Sequence, residues 1–332
     1  MSVAERLKRL GAWAERDVRD VILPFWTSDF IVDPENGGFY GRVTLDMKID
    51  NTEPRGLTLT GRMLYAFSTA YRVFGDELYR EKAGYTGLEL FRGPYDRYTP
   101  EQLKRVLAEY GLTAISAHVD IEDTDKMLEY LPGTGAKYIV CPGLHVSSRE
   151  EAYEKAELLN QLGKKAKAAG LRYGYHNHNN DFDRYGDETV IDIFLNNTDP
   201  ELVTFELDAA WAWRAGVNAA EFVTAHAGRF DLIHVKETSR VLGPEDDMKK
   251  LFGSVPRDAD GRPILTPELK EKFEERQKIN CKLGDGLINM PELKKAADAQ
   301  GAKAYIVERE YAYTGDNFTT ILADREYLSA LN

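Results

Sequence analysis

The chain has 332 residues, 43% of them hydrophobic, and its 55 acidic against 43 basic side chains leave a formal charge of −12. That length and apolar content suffice for one barrel-sized core plus an appendage, and the acidic balance argues against nucleic acid or an anionic membrane surface as a partner. Cys141 and Cys281 form no CxxC pair, which argues against a disulfide framework or a thiolate zinc site.

At the amino end, Glu5, Arg6, Lys8 and Arg9 interrupt any secretory leader, and no apolar run reaches membrane-spanning length, so a cytoplasmic protein is expected. Its natural partner is then a small molecule, with a homo-oligomer left open. Val3, Leu7, Leu10, Trp13 or Ala14, Val18, Val21 and Ile22 recur at helical spacing over residues 2–23, and Pro24 is expected to stop that helix. A hairpin is expected next, Phe30–Val32 against Phe39–Val43, around a turn containing Pro34, Gly37 and Gly38. Leu59, Met63, Phe67, Ala70 or Tyr71, and Phe74 then mark a second amphipathic helix, with a last turn from Glu77 to Ala83.

Three stretches here, ILPFW (22–26), DPENGGFYGR (33–42) and GLTLTGRMLYAFS (56–68), resemble the amino-terminal part of the N-acylglucosamine 2-epimerase and cellobiose 2-epimerase family. The resemblance covers a small part of that family's barrel of paired helices. Arg62 matches a sugar-site arginine of the family, but residues 1–117 contain no histidine for its proton transfers. Residues 1–83 are therefore expected to be a helical and hairpin fragment of that family, fused to a separate barrel.

From Gly84 the rhythm becomes strand, helix, strand, helix. Strands are expected at Thr86–Phe91, Thr113–His118, Lys137–Cys141, Arg172–His178, Val203–Asp208, Leu232–Lys236 and Lys303–Glu308, with helices such as 100–110, 149–169 and 219–227 between them. Strand ends fall 23 to 35 residues apart up to His234, the beat of repeated βα units, and then 74 residues separate His234 from Glu308. An insert near 239–283 accounts for the long gap and leaves from the mouth, where it is expected as a lid or a solvated excursion. The expected fold is a TIM (β/α)8-like barrel over 84–332, with seven visible strands where eight are needed. Its first strand comes from Phe39–Leu45 or is missing, as in a natural fusion or a chimera.

Side chains on a strand alternate between faces. His176 shares a face with His178, and Asp208 with Glu206. His234 pairs in this way with Lys236, and Glu308 with Ile306 and Glu310. If the strands converge, His176, Asp208, His234 and Glu308 form a two-nitrogen, two-oxygen nest for one divalent cation, Mn, Co, Mg or Zn, with His178 as an alternative ligand.

The stretches GYTGLELF (84–91), SAHVD (116–120), GAKYIVCPG (135–143), GLRYGYHNHNNDF (170–182), FELDAAWAWRAG (205–216), LIHVKE (232–237) and YIVERE (305–310) resemble the sugar phosphate isomerase/epimerase family with a xylose-isomerase-like TIM barrel. The resemblance implies one divalent metal held at the ends of the fifth to eighth strands, by Glu, Asp, His and Glu. Asp208, His234 and Glu308 match three of these, and His176 stands where the family has a carboxylate. It further implies isomerisation or epimerisation of a sugar or keto-sugar through an enediolate, with Glu308 as ligand and proton-transferring base.

Around this nest, His118 is a candidate acid or hydroxyl-binding group, or a satisfied wall residue. Lys236 is expected to steady the enediolate or to pair with Glu206 or Glu310. Glu89 is expected to orient His118 or contact sugar, Trp211 to stack on a sugar ring or sit in the core, and Arg214 to anchor an anionic group. Two alternatives stay open: a metal-dependent lyase or dehydratase on the same site, and a non-catalytic fused barrel.

Overall fold

Seven of the apolar runs form strands of one parallel sheet in the computed structural model. The structure describes residues 3–28, 84–91, 97–243, 278–309 and 317–331, with isolated positions 48, 95, 267, 271 and 275. The strands are β1 (Gly87–Phe91), β2 (Thr113–His118), β3 (Tyr138–Cys141), β4 (Arg172–His176), β7 (Val203–Asp208), β8 (Phe230–Val235) and β9 (Ala304–Val307). A two-residue antiparallel ribbon, β5 (Arg184–Tyr185) with β6 (Glu188–Thr189), interrupts the series. Sheet order is β1-β2-β3-β4-β7-β8-β9, every neighbour parallel.

Local chemistry starts the helices that link these strands. Thr99 and Gln102 form a reciprocal capping box, with Pro100 at the first helical position, ahead of α3 (Pro100–Glu109). Thr189 and Asp192 do the same for α6 (Val190–Asn197). Ser148 caps α5 (Arg149–Ala168) and Asn218 caps α8 (Ala219–Ala225), each such cap contributing about 1 kcal/mol. The other helices are α4 (Thr124–Thr134), α7 (Ala209–Arg214), α9 (Met290–Gln300) and α10 (Asn317–Ala330). Tyr173, Tyr175, Phe205, Leu207, Ile233 and Val235 are buried in the layer between sheet and helices, where Tyr175 meets Phe194 of α6 edge-on at 5.0 Å.

The sheet rolls into a nearly closed barrel. Side chains from distant strands meet inside it: Glu89 of β1 lies 2.9 Å from His234 of β8, and His118 of β2 lies 2.7 Å from Glu206 of β7. Helix α10 spans the opening. Tyr85, just before β1, donates its hydroxyl to Ile321 O at 2.8 Å, and Arg309, just after β9, donates to Asp324 Oδ1 at 2.6 Å. Asp324 is fully buried and also accepts Leu283 N, while Arg309 reaches Cys281 O.

The amino-terminal helix differs from expectation at Pro24. Helix α1 (Val3–Asp17) passes through a wide π-turn at Val18–Ile22 into α2 (Leu23–Thr27), with Pro24 in its first turn. A proline lacks an N–H and crowds the carbonyl four residues back. The widened turn just before it and its first-turn position remove both penalties. The hairpin at 30–43, the helix at 57–83 and a first strand from 39–45 lie outside the described residues. So does most of the insert, whose two ends are clasped where Ser239 N donates to Ile279 O at 2.9 Å. No described helix is long and apolar enough to cross a membrane.

Removing one partner of a buried ion pair leaves the other charge uncompensated, at about 3–5 kcal/mol. Asp324→Ala is expected to lower the unfolding free energy by about that amount in a urea titration; a loss under about 1 kcal/mol would mean α10 does not hold the barrel closed.

Candidate metal centre

Alternate residues at the carboxyl ends of β4, β7 and β8 point into the barrel and bring His176, Glu206, Asp208 and His234 together, all of them buried. Glu308 joins from the end of β9, Glu89 and His118 from β1 and β2, and Lys236 from just beyond β8. The contacts fall into two layers. In the deeper one, Glu206 Oε2 lies 2.7 Å from His118 Nε2 and 3.0 Å from His176 Nδ1, while Glu89 Oε1 lies 3.0 Å from His118 Nε2 and 2.9 Å from His234 Nε2. Ser116 donates its hydroxyl to Glu89 Oε2 at 2.6 Å. Nearer the mouth, His234 Nδ1 lies 3.3 Å from Glu308 Oε2, and His176 Nε2 lies 4.0 Å from Asp208 Oδ2. Lys236 Nζ donates to Glu308 Oε2 at 3.1 Å and stands 3.9 Å from Asp208 Oδ2. The other oxygen of Asp208 caps α7 by accepting Trp211 N at 2.8 Å.

Packing four carboxylates with three imidazoles and a lysine away from water shifts their protonation. Burial raises Asp208 to about 6, offset in part by Lys236. Burial also lowers His176 well below the usual imidazole range, and the neighbouring His234 and His118 push it the same way. For His234, burial acts downward, but the Glu206 and Glu89 carboxylates outweigh it and hold the ring well above that range. Glu308 shows the converse: burial acts upward, and hydrogen bonding to His234 with the Lys236 charge holds it well below the carboxylate range. Glu206 follows the same pattern, through His234 and His118.

Two carboxylate oxygens in this cluster, Glu206 Oε1 and Asp208 Oδ2, are buried and accept no hydrogen bond. A buried polar atom left without a partner costs roughly 1–3 kcal/mol, more when charged. Ligand atoms of Asp208, His234 and Glu308 lie within 4.8 Å of one another, and so do those of His118, His176, Glu206 and His234. Nitrogen and carboxylate donors at such spacing, with excess negative charge and unmet lone pairs, fit a divalent cation.

Other candidates sit differently. His178 begins the turn after β4; its ring centroid is 5.1 Å from His176 and 5.3 Å from Trp211, and it belongs to neither donor group. Among the described residues Lys236 forms ion pairs with Glu308 and Asp208, where Glu206 was one expected partner; the other, Glu310, lies outside the described residues. Trp211 is no open platform for a sugar: it is 8% exposed, with the Arg214 guanidinium 4.5 Å and Lys236 Nζ 5.0 Å from its ring centroid. Arg214 is itself buried, donating to Thr238 Oγ1 at 3.3 Å and Asn280 Oδ1 at 3.2 Å, so its expected anion-anchoring role gives way to holding the segment after β8. Glu206 is the residue that sequence reasoning undervalued. Its signal was there, a carboxylate two residues before Asp208 on the same inward face of an otherwise apolar strand.

Residues 80–331 match the family model described as xylose isomerase-like TIM barrel, and the chain belongs to that family. Near the amino end it is 41% identical over 69 residues to a cellobiose 2-epimerase of Bacteroides fragilis, spanning 21% of this chain and 17% of that protein, so the chain covers about a sixth of the relative's length. It is 29% identical over 150 residues to an inosose dehydratase of Clostridium perfringens, spanning 39% of this chain and 50% of that one. Among solved structures, a sugar phosphate isomerase/epimerase from Parabacteroides distasonis aligns with a TM-score of 0.57 at 24% identity, over 83% of this chain and 90% of the other. The IOLI protein with a zinc atom aligns with a TM-score of 0.53 at 13% identity, over 83% and 92%. At these identities the structural likeness concerns the fold.

A cation that binds only the folded chain stabilises it by about 2.7 kcal/mol at a hundredfold excess over its dissociation constant. Adding zinc or manganese to chelator-treated protein is expected to raise the melting temperature, and Asp208→Asn is expected to remove most of that rise while leaving the far-ultraviolet circular dichroism unchanged. An equal rise in the variant would detach Asp208 from the binding site.

Proposed function

We propose that this member of the xylose isomerase-like TIM barrel family is a divalent-metal-dependent isomerase or epimerase of a sugar or keto-sugar. The observation that carries the reading is the unpartnered, buried Asp208 Oδ2 facing Lys236, His176 and the His234–Glu308 pair at the barrel mouth. The residues that would hold the metal are His176, Asp208, His234 and Glu308. That the similarly folded IOLI protein binds a zinc atom is in keeping with a cation here.

When bound, the cation supplies Lewis acidity that stabilises negative charge developing on two adjacent oxygens of a hydroxy-ketone. The chain's own groups would do the rest. Glu308 has a side chain 36% exposed, against 0% for Asp208 and 3% for His176 and His234, so it is the member of the nest that meets substrate. Lys236 and His234 keep it ionised and ready to accept the proton from the carbon beside the carbonyl. Returned by Glu308 to the neighbouring carbon, with a hydroxyl proton passing between the two oxygens, that proton completes an isomerisation; in an epimerisation Glu308 keeps it and a second acid delivers a different proton to the opposite face of the same carbon. Lys236, 3.1 Å from Glu308, places positive charge beside the enediolate between these steps. His118 is turned toward Glu89 and Glu206, which favours a supporting role over the acid role that its position alone suggested.

A second reading draws on the inosose dehydratase similarity, which spans half of that protein. The same enediolate can instead break the C–O bond at the next carbon, the departing hydroxyl taking the proton that Glu308 accepted and leaving as water, which would make the site a lyase. The amino-terminal likeness to cellobiose 2-epimerase covers too little of that enzyme to supply its chemistry here.

Keto-sugars and keto-inositols incubated with the metal-loaded protein in deuterated water separate the two. Deuterium beside the carbonyl with the molecular formula retained is expected, and loss of water would establish the lyase instead. Glu308→Gln is expected to lower kcat by about 10²–10⁴-fold. A variant with wild-type turnover would remove Glu308 from the chemistry.

A further inference from the structure

The deeper layer of the cluster has no part in the proton transfer, yet it buries two carboxylates at a cost of several kcal/mol each unless they are paired. Each accepts from the ring nitrogens that face away from the mouth. His176 gives Nδ1 to Glu206 at 3.0 Å, which leaves Nε2 toward Asp208. His234 gives Nε2 to Glu89 at 2.9 Å, with Glu206 Oε2 farther off at 3.3 Å, which leaves Nδ1 toward Glu308. His118 Nε2 lies between both carboxylates, 2.7 Å from Glu206 and 3.0 Å from Glu89, and ties them together. Ser116 fixes the remaining oxygen of Glu89. Opposite nitrogens of the two rings, Nε2 in one and Nδ1 in the other, therefore face the same nest.

We infer that Glu206, together with Glu89, is a positioning residue: the pair holds His176 and His234 in opposite tautomers so that each presents a lone pair to the cation, His234 giving up its Nδ1 proton as the cation binds, with His118 as the strut between the two carboxylates. The inference rests on the metal-dependent reading of the same site. A carboxylate hydrogen-bonded to the far nitrogen of a ligand histidine orients the ring and raises its basicity, and losing it weakens metal binding by about 10–100-fold.

The test uses the full chain labelled with ¹⁵N-histidine and zinc, which is diamagnetic. Zinc affinity is measured by calorimetry, and the ring tautomers by long-range ¹H–¹⁵N spectra of the zinc form. In the wild type, the proton is expected on Nδ1 of His176 and on Nε2 of His234. Glu206→Gln is expected to weaken zinc binding by about 10–100-fold and to disturb the His176 pattern more than that of His234, and Glu89→Gln to do the reverse. Zinc affinity within twofold of wild type in both variants, or a wild-type zinc form with His176 protonated on Nε2, would overturn the inference and leave the metal reading standing. Wild-type protein that binds no zinc, manganese, cobalt or magnesium would overturn the metal reading and this inference with it. If either variant fails to fold, the wild-type tautomer pattern decides the matter alone.

Discussion

Burial of like charge governs this molecule. Glu89, Glu206, Asp208 and Glu308 meet inside a parallel barrel where water is scarce, and repulsion together with desolvation would keep them apart without compensation. Three imidazoles and one lysine provide part of it, gathered on Oε2 of Glu206 and Oε2 of Glu308. The remainder is visible as two buried oxygens that accept nothing, and this local deficit is what a divalent cation would meet. Binding chemistry thus arises from the same alternation that builds the strands, since every inward carboxylate sits beside an outward apolar residue that secures the sheet to its helices.

Closure of the barrel has a comparable logic. A sheet whose two described edges are β1 and β9 needs something across the gap, and α10 provides it through Tyr85, Arg309 and Asp324. Arg309 lies one residue beyond Glu308, so the ion pair that seats α10 also sets the position of the exposed carboxylate at the mouth. Glu237 plays a matching part on the other side, accepting the backbone N–H groups of Thr238, Gly284 and Ile288 and drawing the returning chain onto the end of β8 beside Lys236. A Cβ on Gly286 would collide with the Glu237 carboxylate and with the backbone oxygen of Thr238, which leaves no room there for a larger residue.

Much of this was legible in the residues. Strands β2 and β7 run over the bounds that their alternation indicates, Thr113–His118 and Val203–Asp208. Strand β4 ends two residues early, at His176, because His178 N turns to the Asp181 carboxylate and starts a tight turn. The contact between Glu206 and His118 joins residues 88 apart in sequence on strands facing each other across the barrel, a proximity that spacing does not encode. Its neglect left the deeper layer unread. A core place for Trp211 was one of its two expected outcomes, whereas Arg214, expected to anchor an anion, covers the indole from three residues on along α7. Pro24 misled because a proline reads as a stop unless the turn before it widens, and no residue type announces a π-turn.

A cation at the mouth, among His176, Asp208, His234 and Glu308, is the location on which the proposed chemistry depends. Anomalous diffraction from crystals of the full chain soaked in manganese, collected on either side of the metal edge, tests it most directly. One strong anomalous peak within bonding distance of Asp208 and His234 is expected; a map with no peak there, or with manganese bound only elsewhere on the surface, would contradict it.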